Sequence, residues 1–389
     1  IRCSIFLFIN CLSVNPNKMK YYIIAGEASG DLHASNLMKA IKKKDINADF
    51  RCWGGDLMEA AGGEIIKHYR ELAFMGFWEV ATHLKTILRN LAVCKVDILL
   101  YEPDMVILVD YPGFNLRIAK FAKENKIKVI YYISPQIWAW KKNRIHKIKK
   151  YVDEMIVILP FEKEFYEKYR VPVHFVGHPL LDAIDKDIKQ SEAVTQFRQI
   201  HNLDDRDIIA ILPGSRKQEI SKIFPIMLQV TTQYPQYQFI VSGVDWQPRE
   251  LYDKILEKKM IPIVFDQTYP LLLNAKAALV TSGTATLETA LLGVPQVVCY
   301  KGSAFSYHIA KHLIKGINYI SLVNLIMDKP VVTELIQHDL NKKRLTEELE
   351  KIVCNEKNIK RIKDEYTMLH HLLGNSNASA EAAEIVCAQ

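Results

Sequence analysis

The chain has 389 residues, of which 49% are hydrophobic and 24% are charged. This balance is that of a soluble globular protein, and it excludes a wholly disordered chain, a collagen-like fibre and a coiled coil. The length favours two domains. A net charge of +7 fits an anionic substrate, an anionic membrane surface or nucleic acid, so the distribution of the basic residues must decide between them.

The beginning of the chain and its cysteines indicate the compartment. Seven cysteines lie scattered without a C-x-x-C pair, as is typical of free thiols in a reducing compartment. No apolar run reaches the roughly 18 residues that span a bilayer. The first methionine is Met19, and we expect residues 1–18 to be a non-native or disordered start. A signal peptide is the alternative, but the apolar run at residues 5–9 is short and no A-x-A cleavage site follows it.

Short apolar runs alternate with helical patterns in the first half of the chain, as in a parallel α/β sheet. The strands predicted there are residues 21–25, 105–109, 129–133, 155–159 and 173–176. A polar, strand-free stretch at about 184–207 then predicts an inter-domain linker.

A second α/β series follows the linker. Its predicted strands are residues 208–212, 238–241, 261–264, 277–280 and 296–300, and from Thr333 onwards only helical patterns occur. We therefore predict an α/β protein with two Rossmann-like domains, residues 19–185 and 205–365, facing a cleft at the carboxyl ends of their strands. A helical tail at residues 366–389 is expected to pack on the N-terminal domain or on a partner subunit.

Two loops of the second half have the features of phosphate-binding segments. One contains Ser282, Gly283, Thr284, Ala285 and Thr286, which follow a buried strand and open a helix whose N–H groups and dipole favour an anion. Glu288, one turn further on, is suited to two ribose hydroxyls. The other loop is Gly214-Ser215-Arg216, where an arginine fork fits a pyrophosphate. An ordinary helix cap and a surface arginine are the alternatives, but the two loops together favour a nucleotide site, although neither is a P-loop or a G-x-G-x-x-G motif.

Candidate catalytic and acceptor residues follow the strands of the first half. Asp110 ends an apolar strand, where a carboxylate with a raised pKa can act as a general base; a helix N-cap is the alternative. The glycine-rich turn after the first strand carries two carboxylates and so fits a sugar or hydroxyl acceptor better than a phosphate. The acceptor candidates of this half are Gly26, Glu27, Ser29, Gly30, Asp31, Ser134, Gln136, Trp138 and His178.

Metal binding and nucleic-acid binding are not expected. The twelve histidines are dispersed, and the two D-x-D patterns lie in the polar linker. The basic segment at residues 141–150 lacks interleaved aromatic residues.

The basic segment instead pairs with an apolar stripe that begins at Phe74 and runs through Leu84, Ile87, Leu88 and Leu91, as in a protein that docks on anionic lipid. A core-facing helix and a solvated charged face are the alternatives. The candidate docking residues are Phe74, Met75, Phe77, Trp78, Lys141, Lys142, Arg144 and Lys147.

Several segments, in this order, resemble the lipid-A-disaccharide synthases, which are inverting glycosyltransferases. In the first half they are AGEASGD (25–31), ELAFMGFWEV (71–80), VDYPGFNLR (109–117), YISPQIWAW (132–140), LPFEKEFY (159–166) and VGHPLLD (176–182). In the second half they are LPGSR (212–216), SGTATLE (282–288) and YISLVNL (319–325). The resemblance extends from about Met19 to the C-terminus. Two positions depart from the family pattern: Gly113 stands where many members have a second Asp, and Val323 replaces a frequent Pro.

The resemblance implies a GT-B fold and a reaction without a metal or other cofactor. UDP-2,3-diacylglucosamine would donate its sugar to 2,3-diacylglucosamine 1-phosphate, giving a β(1→6) disaccharide and UDP, with Asp110 as the base. Arg216, the helix start at Ser282 and Asn324 would hold the UDP, Glu288 the ribose, and Glu334 and Gln337 further nucleotide or sugar groups. It also implies a peripheral protein on the cytoplasmic face of the inner membrane, and homodimerisation stays open.

Two other functions remain as alternatives. A UDP-sugar 2-epimerase of the same architecture would consume a UDP-sugar without a lipid acceptor. A non-catalytic, membrane-associated nucleotide-binding protein would bind UDP and release none from a donor.

Overall fold

A computed structural model describes residues 18–71, 84–138, 142–184, 192–257, 259–302 and 318–389. Seven parallel strands form one sheet in the order β3-β2-β1-β4-β5-β6-β7, and six form a second in the order β10-β9-β8-β11-β12-β13. The first sheet contains β1 Lys20–Ala25, β2 Asp49–Gly54, β3 Glu64–His68, β4 Met105–Val109, β5 Lys128–Tyr132, β6 Glu154–Val157 and β7 Val173–Phe175. The second contains β8 Ile208–Leu212, β9 Gln238–Gly243, β10 Ile263–Phe265, β11 Ala275–Thr281, β12 Gln296–Tyr300 and β13 Thr333–Ile336.

Helices connect the strands, as parallel pairing requires. Those of the first half are α1 Ala28–Lys44, α2 Asp56–Ala60, α3 Leu84–Tyr101, α4 Pro112–Glu124, α5 Ile145–Tyr151, α6 Pro160–Lys168 and α7 Leu180–Ala183. They are followed by α8 Glu192–Thr195, α9 Phe197–Ile200, α10 Lys217–Met227, α11 Arg249–Leu256, α12 Thr268–Leu273, α13 Thr284–Leu291 and α14 Leu322–Met327. The last three are α15 Lys342–Val353, α16 Glu356–Leu372 and α17 Ala378–Cys387, and short 3-10 turns lie at Tyr69–Glu71, Lys142–Arg144 and Thr231–Gln233. No helix in the described stretches is long and apolar enough to cross a bilayer.

The chain divides into two compact units. The first consists of the described residues of Ile1–Pro135 with His146–Ile156 and Ser379–Gln389, and the second of those of Gln136–Ile145 and Val157–Ala378. The C-terminal helix α17 belongs to the first unit, where Glu384 pairs with Lys44 at 3.0 Å. The two parallel sheets and the helical C-terminal tail confirm the predicted fold class.

The central strands form because they are nearly continuous apolar runs, which parallel sheets buried on both faces require. All five residues of β4 and all five of β8 are buried. In the second unit Ile208, Ala210 and Leu212 pack in one cluster with Ile240 and Val280. These apolar layers leave the loops at the strand ends as the places where polar chemistry is available.

Three strands were missed by the sequence patterns. The prediction of only helical patterns from Thr333 onwards is wrong at β13, a four-residue edge strand whose Glu334 interrupts the apolar pattern. Strands β2 and β3 also carry polar residues, because one lies at the sheet edge and the other beside it. The predicted linker is strand-free where described, but α9 within it buries Phe197 against the core of the second unit.

Candidate functional site

Three loops of the first unit leave the sheet at one edge. The register pairs Ala25 with Val109 and Val109 with Tyr132, so β1, β4 and β5 end at the same level. Asp110 directly follows the end of β4, and Glu27 lies two residues after the end of β1. The structure thus brings the predicted base and an acceptor candidate to one edge of the sheet.

The main chain at Asp110 is held in an uncommon conformation. Asp110 and Tyr111 have φ values of 43° and 46°, in the left-handed region. The Asp110 carbonyl oxygen accepts hydrogen bonds from the Tyr131 hydroxyl at 2.5 Å and from the Asn115 amide at 2.8 Å. Such local strain persists only where surrounding contacts determine it, and it occurs often at functional sites. No sequence pattern indicated that Tyr131 and Asn115 hold this carbonyl group.

Strain also occurs at the end of the neighbouring strand. Ile133 has a φ of 62°, which costs a residue with a side chain roughly 1–2 kcal/mol and is rarer still for a β-branched one. Its N–H donates to the Ile156 carbonyl, while the Asp110 N–H approaches the carbonyls of Tyr132 and Ile133 at 3.3 Å. The backbone at this edge is therefore fixed by hydrogen bonds between neighbouring strands.

The Asp110 carboxyl has the acidity of a general base. Burial raises its pKa to about 7, with the negative charge of Glu27 as the second cause, while a hydrogen bond from the Tyr111 backbone opposes the rise. A group with a pKa near the working pH combines a useful ionised fraction with a strong tendency to accept a proton. Asp110 can therefore accept a proton from a hydroxyl group.

Packing leaves no room for a side chain at Gly26 in the first turn and little room for one at Gly30. A Cβ atom on Gly26 would come within 2.4 Å of the Tyr111 ring, and one on Gly30 within 3.2 Å of the Ala25 side chain. The backbone of this turn can therefore lie directly against the loop that carries Asp110. Ser29, in the first turn of α1, is exposed and available to a ligand.

Asp31 has a structural use in the first unit. Its buried carboxylate accepts hydrogen bonds from the N–H groups of Gly55 at 2.8 Å, Met58 at 3.1 Å and Leu57 at 3.1 Å. It therefore caps the start of α2, whose first N–H groups have no partner within the helix. These hydrogen bonds give Asp31 a structural role, and its contact with an acceptor stays a prediction.

The candidates after β5 and β7 are also engaged within the protein. The Trp138 indole N–H donates to Glu162 at 3.1 Å, and its ring packs edge-on against Phe161. His178 is buried, and its Nδ1 accepts from the Leu180 N–H at the start of α7. Ser134 is buried and Gln136 is exposed, so of this group Gln136 is the most accessible to a ligand.

The second sheet presents its loops in the same way. The register pairs Leu212 with Val280, Thr281 with Cys299, and Tyr300 with Ile336. The loops after β8, β11, β12 and β13 therefore begin at one edge. Most of the predicted nucleotide residues lie in these loops or just after them.

The loop after β8 is built around Gly214, whose φ of 108° favours glycine. The next two N–H groups, of Ser215 and Arg216, both approach the Glu219 carboxylate at 3.3 Å. The Ser215 carbonyl accepts hydrogen bonds from the side chains of Trp246 and Gln247, each at 3.1 Å. These contacts fix a turn of N–H groups that already binds a carboxylate, and the Arg216 side chain is exposed beside it.

The residues around the start of α13, which follows β11, divide into a buried and an exposed group. Thr286 is fully buried, and its hydroxyl donates to the Gly283 carbonyl. Gly283 and Thr284 are exposed, Ala285 is half-buried, and the Ser282 hydroxyl donates to the Ile320 carbonyl at 3.3 Å. Exposed N–H groups at a helix start are suited to an anion. Burial raises the pKa of the Glu288 carboxyl further along the helix, against the effect of a hydrogen bond from Tyr269.

Asn324 and Glu334 are hydrogen-bonded to the turn that precedes α14. The Glu334 carboxylate accepts from the N–H groups of Ile320 and Ser321 and from the Asn324 amide, at 2.9 to 3.0 Å. The Asn324 oxygen accepts from the Val332 N–H at 3.0 Å. Both side chains thus hold the turn before α14, and a direct nucleotide contact stays a prediction.

Gln337 lies directly after β13 and differs from Asn324 and Glu334 in its side-chain hydrogen bonding. Its φ is 55°, and its buried Nε2 has no hydrogen-bond partner in the described residues. A buried donor left unpaired costs free energy, which a ligand oxygen can recover. The contact of Gln337 with a nucleotide or sugar stays a prediction.

The docking candidates fall in two groups. Phe74, Met75, Phe77, Trp78 and Lys141 lie outside the described residues, whereas Lys142 and Lys147 are exposed and Arg144 is half-buried.

The described apolar residues of α3 are divided between a buried and an exposed face. Leu91 is buried, because it lies with Cys94 and Ile98 on the face that packs against the sheet. Leu88 is exposed, and the exposed apolar face continues along the helix through Val93, Val96, Leu99 and Leu100.

The described residues contain no group of three or more side chains arranged to hold a metal ion.

Comparison with known proteins places these features in a family. The profile described as lipid-A-disaccharide synthetase matches residues 21–386. The lipid-A-disaccharide synthase of Geobacter metallireducens is 38% identical over 95% of this chain and 97% of its own length. The lipid-A-disaccharide synthase of Syntrophus aciditrophicus is 40% identical over 94% of this chain and 97% of its own length.

Solved structures with low sequence identity share the fold. The UDP-GlcNAc 2-epimerase of Neisseria meningitidis, bound to UDP-GlcNAc, has a TM-score of 0.66 at 14% identity, covering 96% of this chain and 100% of its own. The calicheamicin glycosyltransferase CalG4 has a TM-score of 0.59 at 15% identity, covering 96% and 98%. Both likenesses concern the architecture alone.

Proposed function

The chain belongs to the lipid-A-disaccharide synthase family, and from this membership we propose which substrates it joins and which residues act. UDP-2,3-diacylglucosamine is the donor and 2,3-diacylglucosamine 1-phosphate the acceptor. The products are the β(1→6)-linked disaccharide 1-phosphate and UDP. The observation that carries this proposal is the Asp110 carboxyl, with its pKa of about 7, on a strained strand end.

The reaction is a single displacement. Asp110 takes the proton of the acceptor 6-hydroxyl as its oxygen forms a bond to the anomeric carbon of the donor. The bond from that carbon to the UDP oxygen breaks, and UDP leaves with the electron pair. Because the attack comes from the face opposite the leaving group, an α-linked donor gives a β-linked product.

The second unit holds the leaving group. The exposed Arg216 side chain and the N–H groups at the start of α13 offer positive charge to the diphosphate as negative charge develops on it. The Glu288 carboxylate accepts hydrogen bonds from the ribose hydroxyls, and Gln337 contributes its amide nitrogen, which has no partner among the described residues. Asn324 and Glu334 keep the adjoining turn in place.

The test is UDP release by the purified protein given both acylated substrates in the presence of EDTA, with the lipid product identified by mass spectrometry. We expect UDP to appear only when the acceptor is present, together with the mass of a disaccharide 1-phosphate. UDP released without acceptor would point to an epimerase-like reaction, and binding of UDP without any turnover to a non-catalytic protein.

We also propose that the first unit docks on the anionic cytoplasmic face of the inner membrane through α3. Leu88, Val93, Val96, Leu99 and Leu100 expose between 48% and 80% of their surface on one helix face. Both substrates carry acyl chains, so an enzyme seated on the bilayer gains access to them. Exposed lysines of α5, Lys147 among them, add attraction for anionic lipid of about 1 kcal/mol per charge.

Replacing two residues of this face should weaken membrane binding. In Val96→Asp/Leu100→Asp we expect at least about a tenfold lower partition onto phosphatidylglycerol vesicles, because burial of one such side chain contributes roughly 1.5 kcal/mol or more. Vesicle flotation measures the partition. Ile46→Asp, at another exposed apolar residue of the same unit, is the matched control. Equal partition of both variants and the unaltered chain would rule out this face.

A further inference from the structure

The turn between β10 and α12 is fixed from two sides within the second unit. Asp266 adopts a left-handed conformation with a φ of 52°, which ends the strand. The next two side chains are then held: Gln267 by His201 at 2.7 Å, and Thr268 by the Ser242 hydroxyl at 2.7 Å. A turn held on both sides gives the following residue, Tyr269, a defined position.

Tyr269 reaches the candidate ribose-binding carboxylate. Its hydroxyl donates to Glu288 Oε1 at 2.9 Å, and both side chains are half-buried. The two residues are 19 positions apart in sequence and lie on different helices, α12 and α13. The contact therefore joins the loop after β10 to the helix that begins at the nucleotide-binding edge.

The hydrogen bond from Tyr269 leaves the Glu288 carboxylate enough lone pairs to accept from two ribose hydroxyls. A carboxylate has two oxygens with about four lone-pair positions, and the tyrosine hydroxyl uses one of them. Burial and the charge of Glu288 raise the pKa of the tyrosine hydroxyl, so it stays a neutral donor throughout the working pH range. Glu288 can thus keep its orientation and still accept from two hydroxyl groups.

We propose that Tyr269 is a positioning residue that fixes the Glu288 carboxylate for the ribose hydroxyls, so that this unit selects ribonucleotides over 2′-deoxyribonucleotides. The proposal rests on the proposed role of Glu288 in binding the donor nucleotide. A 2′-deoxy ligand lacks one donor and leaves a partly buried carboxylate oxygen unpaired, which is the kind of difference that gives strong discrimination. If the tyrosine had only a structural role, its removal would lower the affinity for both nucleotides equally.

The experiment measures UDP and 2′-deoxy-UDP binding by calorimetry to the full chain, Tyr269→Phe, Glu288→Gln and the double variant. We expect the unaltered chain to prefer UDP by about tenfold or more, and Tyr269→Phe to lose about fivefold in UDP affinity with little change for 2′-deoxy-UDP. In the Glu288→Gln background the tyrosine substitution should have almost no further effect.

The pH dependence gives a second readout. The hydrogen bond from Tyr269 lowers the pKa of Glu288 against the effect of burial, so its removal raises that pKa. As the pH is lowered, the affinity of Tyr269→Phe for UDP should therefore begin to fall at a higher pH than the affinity of the unaltered chain. Tyr252→Phe is the matched control, because Tyr252 is a buried tyrosine of the same unit that binds the Val244 N–H instead.

Different results would contradict the proposed role of Tyr269 and the proposed role of Glu288. If the unaltered chain prefers UDP and Tyr269→Phe keeps the whole preference, the role of Tyr269 is wrong and that of Glu288 stands. If Tyr269→Phe weakens both nucleotides equally and with an unchanged pH profile, Tyr269 is only structural. If the unaltered chain binds the two nucleotides equally well, Glu288 does not contact the ribose hydroxyls, and the proposed role of Tyr269 is wrong as well.

Discussion

Asp110→Asn should lower kcat by about 10³-fold with little change in KM, since an amide keeps the shape of the carboxyl and cannot accept the proton. Asparagine is the right replacement because Asp110 has a positive φ, which Asn tolerates far better than most residues. The contacts from Tyr131 and Asn115 reach the main-chain carbonyl and persist in the variant. UDP release at saturating concentrations of both substrates measures kcat.

The matched control for this loss is Asp104→Asn. Asp104 lies just before β4, at the opposite end of the strand from Asp110, and accepts a hydrogen bond from the Lys20 N–H. We expect this control to keep its turnover. A kcat for Asp110→Asn within tenfold of the unaltered enzyme, at equal thermal stability, would remove Asp110 from the role of base.

Glu27→Gln should move the acid limb of the pH–activity profile to lower pH. Asp110 acts as a base only when ionised, so kcat/KM falls as the pH drops through its pKa of about 7. Burial is the main cause of that raised pKa, and the negative charge of Glu27 is the second. Removing this charge makes Asp110 easier to ionise, which lowers the pKa and preserves activity at acidic pH.

The size of this effect is best read at pH 6, where most of the unaltered Asp110 is protonated. Relative to its own plateau at high pH, Glu27→Gln should keep about threefold more kcat/KM there than the unaltered enzyme. Normalising to each plateau separates the change in pKa from any lost contact of Glu27 with the acceptor. Glu124→Gln, an exposed carboxylate on α4 that pairs with Lys120, should leave the profile in place. An unmoved acid limb in Glu27→Gln would show that Glu27 does not set the acidity of the base.

The position of the base and of the nucleotide loops could be predicted because both depend on local order along the chain. Strands such as β4 and β8 are unbroken apolar runs, as parallel strands buried on both faces require. The polar residue that follows, Asp110 in one case and the Gly214 turn in the other, must then lie at the carboxyl edge of a sheet. The fold class followed from the same alternation of strands and helices.

Edge strands and residues with structural uses were not predictable in the same way. Strand β13 carries Glu334 within four residues, and its partner strand β12 lies more than thirty residues earlier. The sequence predicts Asp31 as an acceptor contact, and in the structure its carboxylate accepts hydrogen bonds from N–H groups at the start of α2, more than twenty residues away. A carboxylate at a turn has the same sequence appearance whether it binds a ligand or a backbone.

By itself, then, the sequence determined where this chain makes strands, which loops follow them and which family it resembles, since each of these is written in neighbouring residues. Tertiary structure alone decided what holds the functional groups in place. Tyr131 reaches the carbonyl of Asp110 across 21 positions, and Tyr269 reaches Glu288 across 19. The physical reason is that a hydrogen bond depends on distance and direction between atoms, and for residues far apart in the chain both are fixed only when the sheets and helices pack.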